Sequence, residues 1–253
     1  MLHGQGDDAY YDVDGFLAGA STLNDRERSE VAAAVGRVTG LDLLHLQCHF
    51  GLDTLSWARE GARVTGVDFS AAAVRRAGEL AADAGLAAEF VVADVQALPG
   101  SLAGRFDLVF ASYGVLCWIP SAAAWMRSAA ACLRPGGALV LIDIHPLVTM
   151  ADSVEPLVAD FPYAGEQPVR LSSASSYAVG GLDAAASDTI EYPHGLGEVV
   201  TAAASAGLAV SALTEWFDEE RDAKLVAGDD GRVHYPFGGQ WLPTSYGLRA
   251  ARP

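Results

Sequence analysis

Seven short apolar runs alternate with stretches of helical spacing, and most of the runs end near an acidic or small residue. The runs are LDLLHLQ (41–47), RVTGVDF (63–69), AAEFVVADV (87–95), RFDLVFASYGV (105–115), GGALVLIDI (136–144), AVSALTEWFDE (209–219) and PTSYGLRAARP (243–253). Runs of this length, rich in β-branched and aromatic residues and bounded by turn formers, predict strands. Between them, LDTLSWARE (52–60) places Leu52, Leu55 and Trp57 or Ala58 on one helical face and stops at Gly61. SAAAVRRAGELAADAG (70–85) predicts a helix capped by Ser70 and closed by Gly85. Residues 120–134 open a helix on Pro120, and 195–208 form one that ends at Gly207. Upstream, RERSEVAAAVGRV predicts a helix capped by Asn24 or Asp25. Strands separated by helices at this spacing imply βαβ units and a parallel sheet covered on both faces. The expected fold is α/β: a Rossmann-like, doubly wound seven-strand sheet, mostly parallel, with an antiparallel last strand. Residues 146–192 break the rhythm, being rich in Ser, Ala, Gly and Pro, and read as a cap insertion. Residues 220–240 read as a surface loop.

Composition narrows the class. About half of the 253 residues are hydrophobic, enough for the core of one large domain. No apolar run approaches the roughly 20 residues of a membrane span. The acidic N-terminus, MLHGQGDDAYYDVDG, lacks the basic-then-apolar order of a signal peptide. Cys48, Cys117 and Cys132 are odd in number, far apart and without a CxxC pair, which suits a reducing compartment. A soluble, cytoplasmic protein is expected. The formal net charge of −16 argues against nucleic acid and anionic membranes as partners, because both are bound largely by neutralising phosphate.

Four features fall at strand C-terminal ends, where open α/β sheets bind ligands. The first is the loop QCHFG (47–51), the second Asp68, 17 residues beyond Gly51. An acid in that place accepts the hydroxyl protons of a ribose and so marks an adenosine-type cofactor. The third is Asp94, in VVADVQ, whose carboxylate suits the exocyclic amine of adenine while the Val95 backbone reads the ring. The fourth is FASYG (110–114). A dinucleotide lays its pyrophosphate on the first helix N-terminus and needs glycines for close approach. Here Gln47 and His49 stand where small residues are expected and only Gly51 remains. A cofactor without phosphate, such as S-adenosylmethionine, asks only that the loop turn and offer backbone groups.

On LLHLQCHFGLDTLSWA, GVDFS, ADVQALP, FDLVFASYGVLCWIP, LRPGGALVLIDIHP and HGLGEVVTAAASAGL the chain resembles class I S-adenosylmethionine-dependent methyltransferases. It is most similar to a bacterial subgroup with LHLQCHFG as its first motif. The likeness covers roughly 40–145 well and 190–253 more loosely. It implies that Gln47, Cys48, His49 and Gly51 line the methionine end of the cofactor. Asp68 and Phe69 would then hold and cover the ribose, Asp94 and Val95 read adenine, and Ser112 and Tyr113 border the methyl group. His45 sits where the wider family has an acid supporting the loop, and either does that job through a neutral hydrogen bond or packs. On this reading residues 1–40 are an N-terminal lid and helix, 41–145 the cofactor-binding core, 146–192 a substrate cap and 193–253 the C-terminal part of the core.

The implied reaction is in-line methyl transfer to an O- or N-nucleophile of a small molecule, with a specialised metabolite suggested by the subgroup. Alternatives are a cofactor-binding module that transfers nothing, or a non-methylating enzyme on the same fold. His145, ending IDIHP, is a candidate general base or else a histidine that orders the cap. His194 reaches the crevice from the cap or serves as a turn residue. Tyr113 orients a substrate hydroxyl or packs. Tyr10 and Tyr11 are candidates to fold over the cofactor, and Trp118 and Trp241 to wall the pocket, whereas Trp57 and Trp125 read as core. His45, Cys48 and His49 lack an evident fourth ligand and alternate across a strand, so no metal is expected.

Overall fold

In the computed structural model, residues 11–154, 157–159, 161–165, 167–173, 187–217, 226–227, 233–234 and 242–253 are described. Strands run in chain order as β1 (Asp42–Leu46), β2 (Arg63–Asp68), β3 (Ala88–Val92), β4 (Phe106–Ser112) and β5 (Leu133–Ile144). Then come the hairpins β6 (Ala151–Val154) with β7 (Leu157–Ala159) and β8 (Val169–Ser173) with β9 (Ser187–Glu191). They are followed by β10 (Ala209–Trp216), the pair β11 (Val226–Ala227) and β12 (Val233–His234), and β13 (Ser245–Ala251). The helices are α1 (Val13–Leu17), α2 (Asp25–Val35), α3 (Leu52–Arg59), α4 (Ala71–Asp83), α5 (Ala122–Cys132), α6 (Pro146–Thr149) and α7 (Leu196–Ser205).

Seven strands form one sheet in the order β10-β13-β5-β4-β1-β2-β3. β1 pairs in parallel with β2 on one side and β4 on the other, so the winding reverses between β1 and β4. That switch point opens a crevice at the strand C-terminal ends, where ligands bind in sheets of this kind. As expected, only β13 runs against its neighbours, β5 and β10. It slots between them rather than forming the edge. At the opposite end of the sheet Asp42 is bonded by Arg63 and Arg134, which hold its carboxyl down at about 2.

The period of two along each strand divides the core between the faces. Leu44, Val109, Leu139 and Leu141 meet Trp125, Met126 and Val199 on one side. Leu43, Leu108, Phe110, Val140 and Ile142 meet Val31 and Trp57 on the other. Asn24 caps α2 with a full capping box to Glu27. Helix α1 was not expected in the lead-in. Five residues are too few for periodicity to register, yet Val13 and Phe16 pack on Leu52, Leu55 and Leu80. Two hairpins and the short α6 fall within 146–192, where the bland composition gave no strand pattern. Most of the expected 220–240 loop, together with Tyr10 and Trp241, lies outside the described residues. No helix among the described residues is long and apolar enough to cross a membrane.

Gly66, buried in β2, shows how tightly the first loop is seated. A Cβ there would stand 2.7 Å from the Phe90 ring and 2.8 Å from Cys48 Sγ. Overpacking of this kind typically destabilises by about 1–3 kcal/mol. Gly66→Ala is therefore expected to lower the thermal midpoint by roughly 2–12 °C for a domain of this size. An unchanged midpoint would mean that Phe90 and Cys48 do not support the loop.

Candidate functional site

The loop after β1 turns without the usual glycines by placing Gln47 (φ 54°), His49 (φ 51°) and Gly51 (φ 87°) in left-handed conformations. For the two non-glycine residues this costs about 1–2 kcal/mol each. Their interactions offset that strain. Gln47 Nε2 donates to the Val115 carbonyl (2.7 Å), and Gln47 Oε1 accepts from Trp125 Nε1 (2.9 Å). The Gln47 side chain thus ties the first loop to the loop after β4. The His49 amide donates to Asp68 Oδ2 (2.9 Å), and its ring packs against Phe50 and Tyr11. Gly51 is needed for packing as well as for its φ, since a Cβ would meet Phe90 at 2.9 Å and Ala77 at 3.0 Å.

Loop amides are consumed within the protein. The Cys48 amide donates to Val67 O, that of His49 to Asp68 and that of Gly51 to Cys48 O. Cys48 is buried, which pushes its thiol far above the ordinary range and leaves it an inert packing group.

His45 is buried and faces Thr54 Oγ1 at 2.8 Å, in the first turn of α3. It supports the loop by a neutral hydrogen bond where an acid would do so by charge. Burial lowers its pKa from 6.5 to about 4, with Asp53 opposing the shift. Between those values the unfolded chain binds a proton that the folded chain does not. Stability is therefore complete above pH 6.5 and is lost as the pH falls toward 4. The loss expected from His45 between pH 7.5 and 5 is about 2 kcal/mol. Burial also lowers the His145 pKa, adding to the effect with the same sign. Urea midpoints at the two pH values should separate strongly in the wild type and much less in His45→Gln; an equal separation would place the acid sensitivity elsewhere.

Asp68 ends β2 at 7% exposure. Its Oδ1 accepts the Ser70 amide (2.9 Å) while Oδ2 takes His49, so one carboxylate positions both the first loop and the start of α4. Each oxygen keeps a second lone pair. Register pairs Asp68 with Val92, and Asp94 follows two residues later, so the acids stand at neighbouring strand ends. Asp94 is exposed, with Oδ1 accepting the Gln96 amide at 2.8 Å, and Val95 beside it is buried. Phe69, at 67% exposure, stands uncovered next to Asp68. Ser112 is half-buried at the end of β4, paired with Ile142. Tyr113 (φ 47°) turns toward α2, where its hydroxyl accepts from Asn24 Nδ2 at 3.2 Å. Tyr11 and Trp118 are exposed, while Trp57 and Trp125 are buried core. The structure brings the first loop, Asp68, Asp94 and Ser112 to one edge of the sheet.

The two candidate histidines are placed differently. His145 is 2% exposed and caps α6: its Nδ1 accepts the Leu147 amide (3.1 Å), which assigns the proton to Nε2, 2.9 Å from Glu215 Oε1. Both nitrogens are engaged. In this arrangement the ring joins β5, α6 and β10, which is the cap-ordering role of the two expected for His145. His194 Nε2 donates to the Ile119 carbonyl (2.8 Å) and Nδ1 faces Glu198 (3.0 Å), clamping the end of the cap to the segment before α5. No group of three or more potential metal ligands is found among the described residues.

Sequence reasoning missed Asp143. Its Oδ1 accepts the amides of Gly114, Val115 and Ile144, and Oδ2 accepts that of Leu116. Burial lifts its pKa, and the same four amides oppose the shift. It shapes the loop that Gln47 also grips. The available signal was an acid inside an apolar strand, IDI, where a charge needs buried partners.

The family model for the methyltransferase domain matches residues 43–137. A ubiquinone biosynthesis O-methyltransferase of Xanthomonas axonopodis pv. citri (strain 306) is 33% identical over 136 residues, 54% of this chain and 56% of that protein. The enzyme of the same name from Escherichia coli O157:H7 is 28% identical over 128 residues, 51% and 53% of the two chains. The chain thus spans about half the length of the curated relatives it matches. Among solved structures, an S-adenosylmethionine-dependent methyltransferase from Mesorhizobium loti aligns over 93% of this chain and 100% of its own, with TM-score 0.59 and 21% identity. One from Clostridium acetobutylicum aligns over 96% and 97%, with TM-score 0.62 and 11% identity. Residues 43–137 accordingly match a methyltransferase domain, and the chain has the fold of solved S-adenosylmethionine-dependent methyltransferases.

Proposed function

We propose that the protein is an S-adenosylmethionine-dependent methyltransferase acting in the cytoplasm on an O- or N-nucleophile of a small molecule. The observation that carries this is the arrangement of strand ends at the switch point. Two acids stand on neighbouring strand ends beside a loop whose amides at 48, 49 and 51 are already donated. Such a loop has little to offer a pyrophosphate. A nucleoside with a zwitterionic tail suits the same surroundings. The O-methyltransferase relatives, matched over about half their length, support the same reading.

On this reading the remaining lone pairs of Asp68 hold the ribose hydroxyls and the exposed Phe69 covers them. Asp94 takes the adenine amine and Val95 reads the ring. Gln47, Cys48, His49 and Gly51 border the methionine end, with Ser112 and Tyr113 near the methyl group and Tyr11 above. When bound, S-adenosylmethionine supplies a methyl group activated by its sulfonium charge. The protein's share is positioning and water exclusion. His145, Asp143 and Gln47 act as positioning residues for the cap and the loop after β4, and His194 clamps the cap.

Incubation with S-adenosylmethionine and a panel of small metabolites tests the proposal. Release of S-adenosylhomocysteine that depends on an added acceptor is the expected result. Cofactor binding with no release across a broad panel would favour a binding module. Turnover of an acceptor without that release would favour non-methylating chemistry.

A further inference from the structure

A second cavity adjoins the crevice. It lies between α6, the segment after β7, the β8–β9 hairpin, the loop after β4 and the ends of β5 and β13, and it is open to solvent. The Tyr192 amide donates to the Cys117 carbonyl at 2.8 Å and so pins the end of β9 beside the loop after β4. Gly114, which follows Ser112 and Tyr113, forms part of the wall. The cavity is therefore adjacent to the place where the methyl group is expected.

Most polar groups in the wall are committed elsewhere. Asp143 accepts its four backbone amides, and His194 spans Ile119 and Glu198. Two are not. Tyr246 is 2% exposed and its ring stands edge-on to His145, yet its hydroxyl has no hydrogen-bond partner among the described residues. Glu191, the last residue of β9, is half-buried, and its carboxylate likewise has none. Burial lifts the Glu191 pKa, and burial, followed by the charges of Asp143 and Glu191, pushes the Cys117 thiol up. Around these two groups the wall is apolar, with Leu116, Ile144, Phe161 and Val169 among its members. A hydroxyl and a carboxylate that face an otherwise apolar cavity offer an entering ligand a donor and an acceptor.

We propose that this cavity receives the methyl acceptor, that the acceptor is an uncharged ring compound bearing a hydroxyl group, and that Glu191 is the catalytic base for it, with Tyr246 as the second hydrogen-bond partner. The inference rests on the methyltransferase reading above. In the step, the acceptor O–H bond breaks and its proton passes to the Glu191 carboxylate. The oxygen forms the new bond to the methyl carbon, and the methyl–sulfur bond breaks with its electron pair remaining on sulfur. The products are a methyl ether, a neutral sulfide and a protonated Glu191 that releases its proton to solvent. An anionic acceptor would meet the carboxylates of Glu191 and Asp143 and be repelled.

Three phenols of matched size separate the options: 4-ethylphenol (neutral), 4-hydroxyphenylacetate (anionic) and tyramine (cationic). Each is titrated into the full chain with and without S-adenosylhomocysteine. In the wild type, 4-ethylphenol should bind at least about tenfold more tightly than 4-hydroxyphenylacetate, about 1.4 kcal/mol. In Glu191→Gln that ratio should fall to within about threefold, with S-adenosylhomocysteine affinity and thermal midpoint unchanged. Tyr246→Phe should weaken 4-ethylphenol and leave the ratio intact. For any phenol that is turned over, Glu191→Gln should lower kcat and remove the acidic limb of its pH profile, and Glu191→Asp should restore part of the rate. Cys117, Asp143, Tyr192, His194 and Tyr246 are the other titratable groups of the wall, and they remain in both Glu191 variants. Absence of 4-ethylphenol binding at millimolar concentration, a ratio unmoved by Glu191→Gln, or tightest binding of tyramine would each overturn the inference. Failure of S-adenosylhomocysteine to bind would strike the cofactor reading instead, because the phenol ratio is also read without it.

Discussion

Asp143→Asn is expected to lower the unfolding free energy by about 2–4 kcal/mol and to release the loop after β4, although it changes only one atom of the side chain. Four backbone amides converge on this carboxylate: those of Gly114, Val115 and Ile144 on one oxygen and that of Leu116 on the other. An asparagine can present only one acceptor. Its amino group must face at least one backbone donor, so a hydrogen bond is lost and two buried donors are set against each other. The ionisation state of Asp143 decides the size of the effect. Burial favours the neutral acid, but a carboxylic proton would itself need an acceptor, and all four neighbours are donors. The anion fits this arrangement and the acid does not. A urea titration of Asp143→Asn within about 0.5 kcal/mol of wild type would show that the carboxyl is protonated and the loop held by other means. The expected loss should be accompanied by weakened cofactor binding, because Gln47 grips the same loop at the Val115 carbonyl.

Asp68→Asn should weaken S-adenosylmethionine binding by at least about tenfold, or roughly 1.4 kcal/mol, the value of a charge-assisted pair of hydrogen bonds to ribose. Asparagine is a better test than alanine. Asp68 also accepts the His49 and Ser70 amides, so alanine would disturb the first loop and the start of α4 as well. Calorimetric titration of the variant, with its thermal midpoint as control, separates the two roles. A large drop in midpoint with unchanged affinity in the folded fraction would make Asp68 a scaffold residue and remove the ribose assignment.

The alternation of apolar runs and helical stretches was enough to read the sheet. Leu43 and Leu44, or Leu108 and Val109, point to opposite faces and each face is covered, so period and burial agree. The antiparallel last strand was legible too, but its insertion between β5 and β10 was not, because strand order depends on long-range pairing that no local pattern encodes. Asp68 and Asp94 were legible because strand ends are legible. The loop after β1 was harder. Gln47 and His49 adopt glycine-like conformations through contacts with Trp125, Val115, Asp68 and Tyr11, most of them distant in sequence. Asp143 and Glu191 escaped for the same reason: the first is explained by amides on another loop, the second by a cavity that exists only once the cap is folded. His145 was found with its two roles left open, since only the Leu147 amide and Glu215 reveal that its nitrogens are engaged.

Calorimetric titration of the full chain with S-adenosylmethionine and, separately, S-adenosylhomocysteine addresses the central claim most directly. Saturable one-to-one binding of both at micromolar concentrations, with NAD giving no heat, is the predicted result. Silence toward both sulfur nucleosides, or preferential binding of NAD, would contradict it.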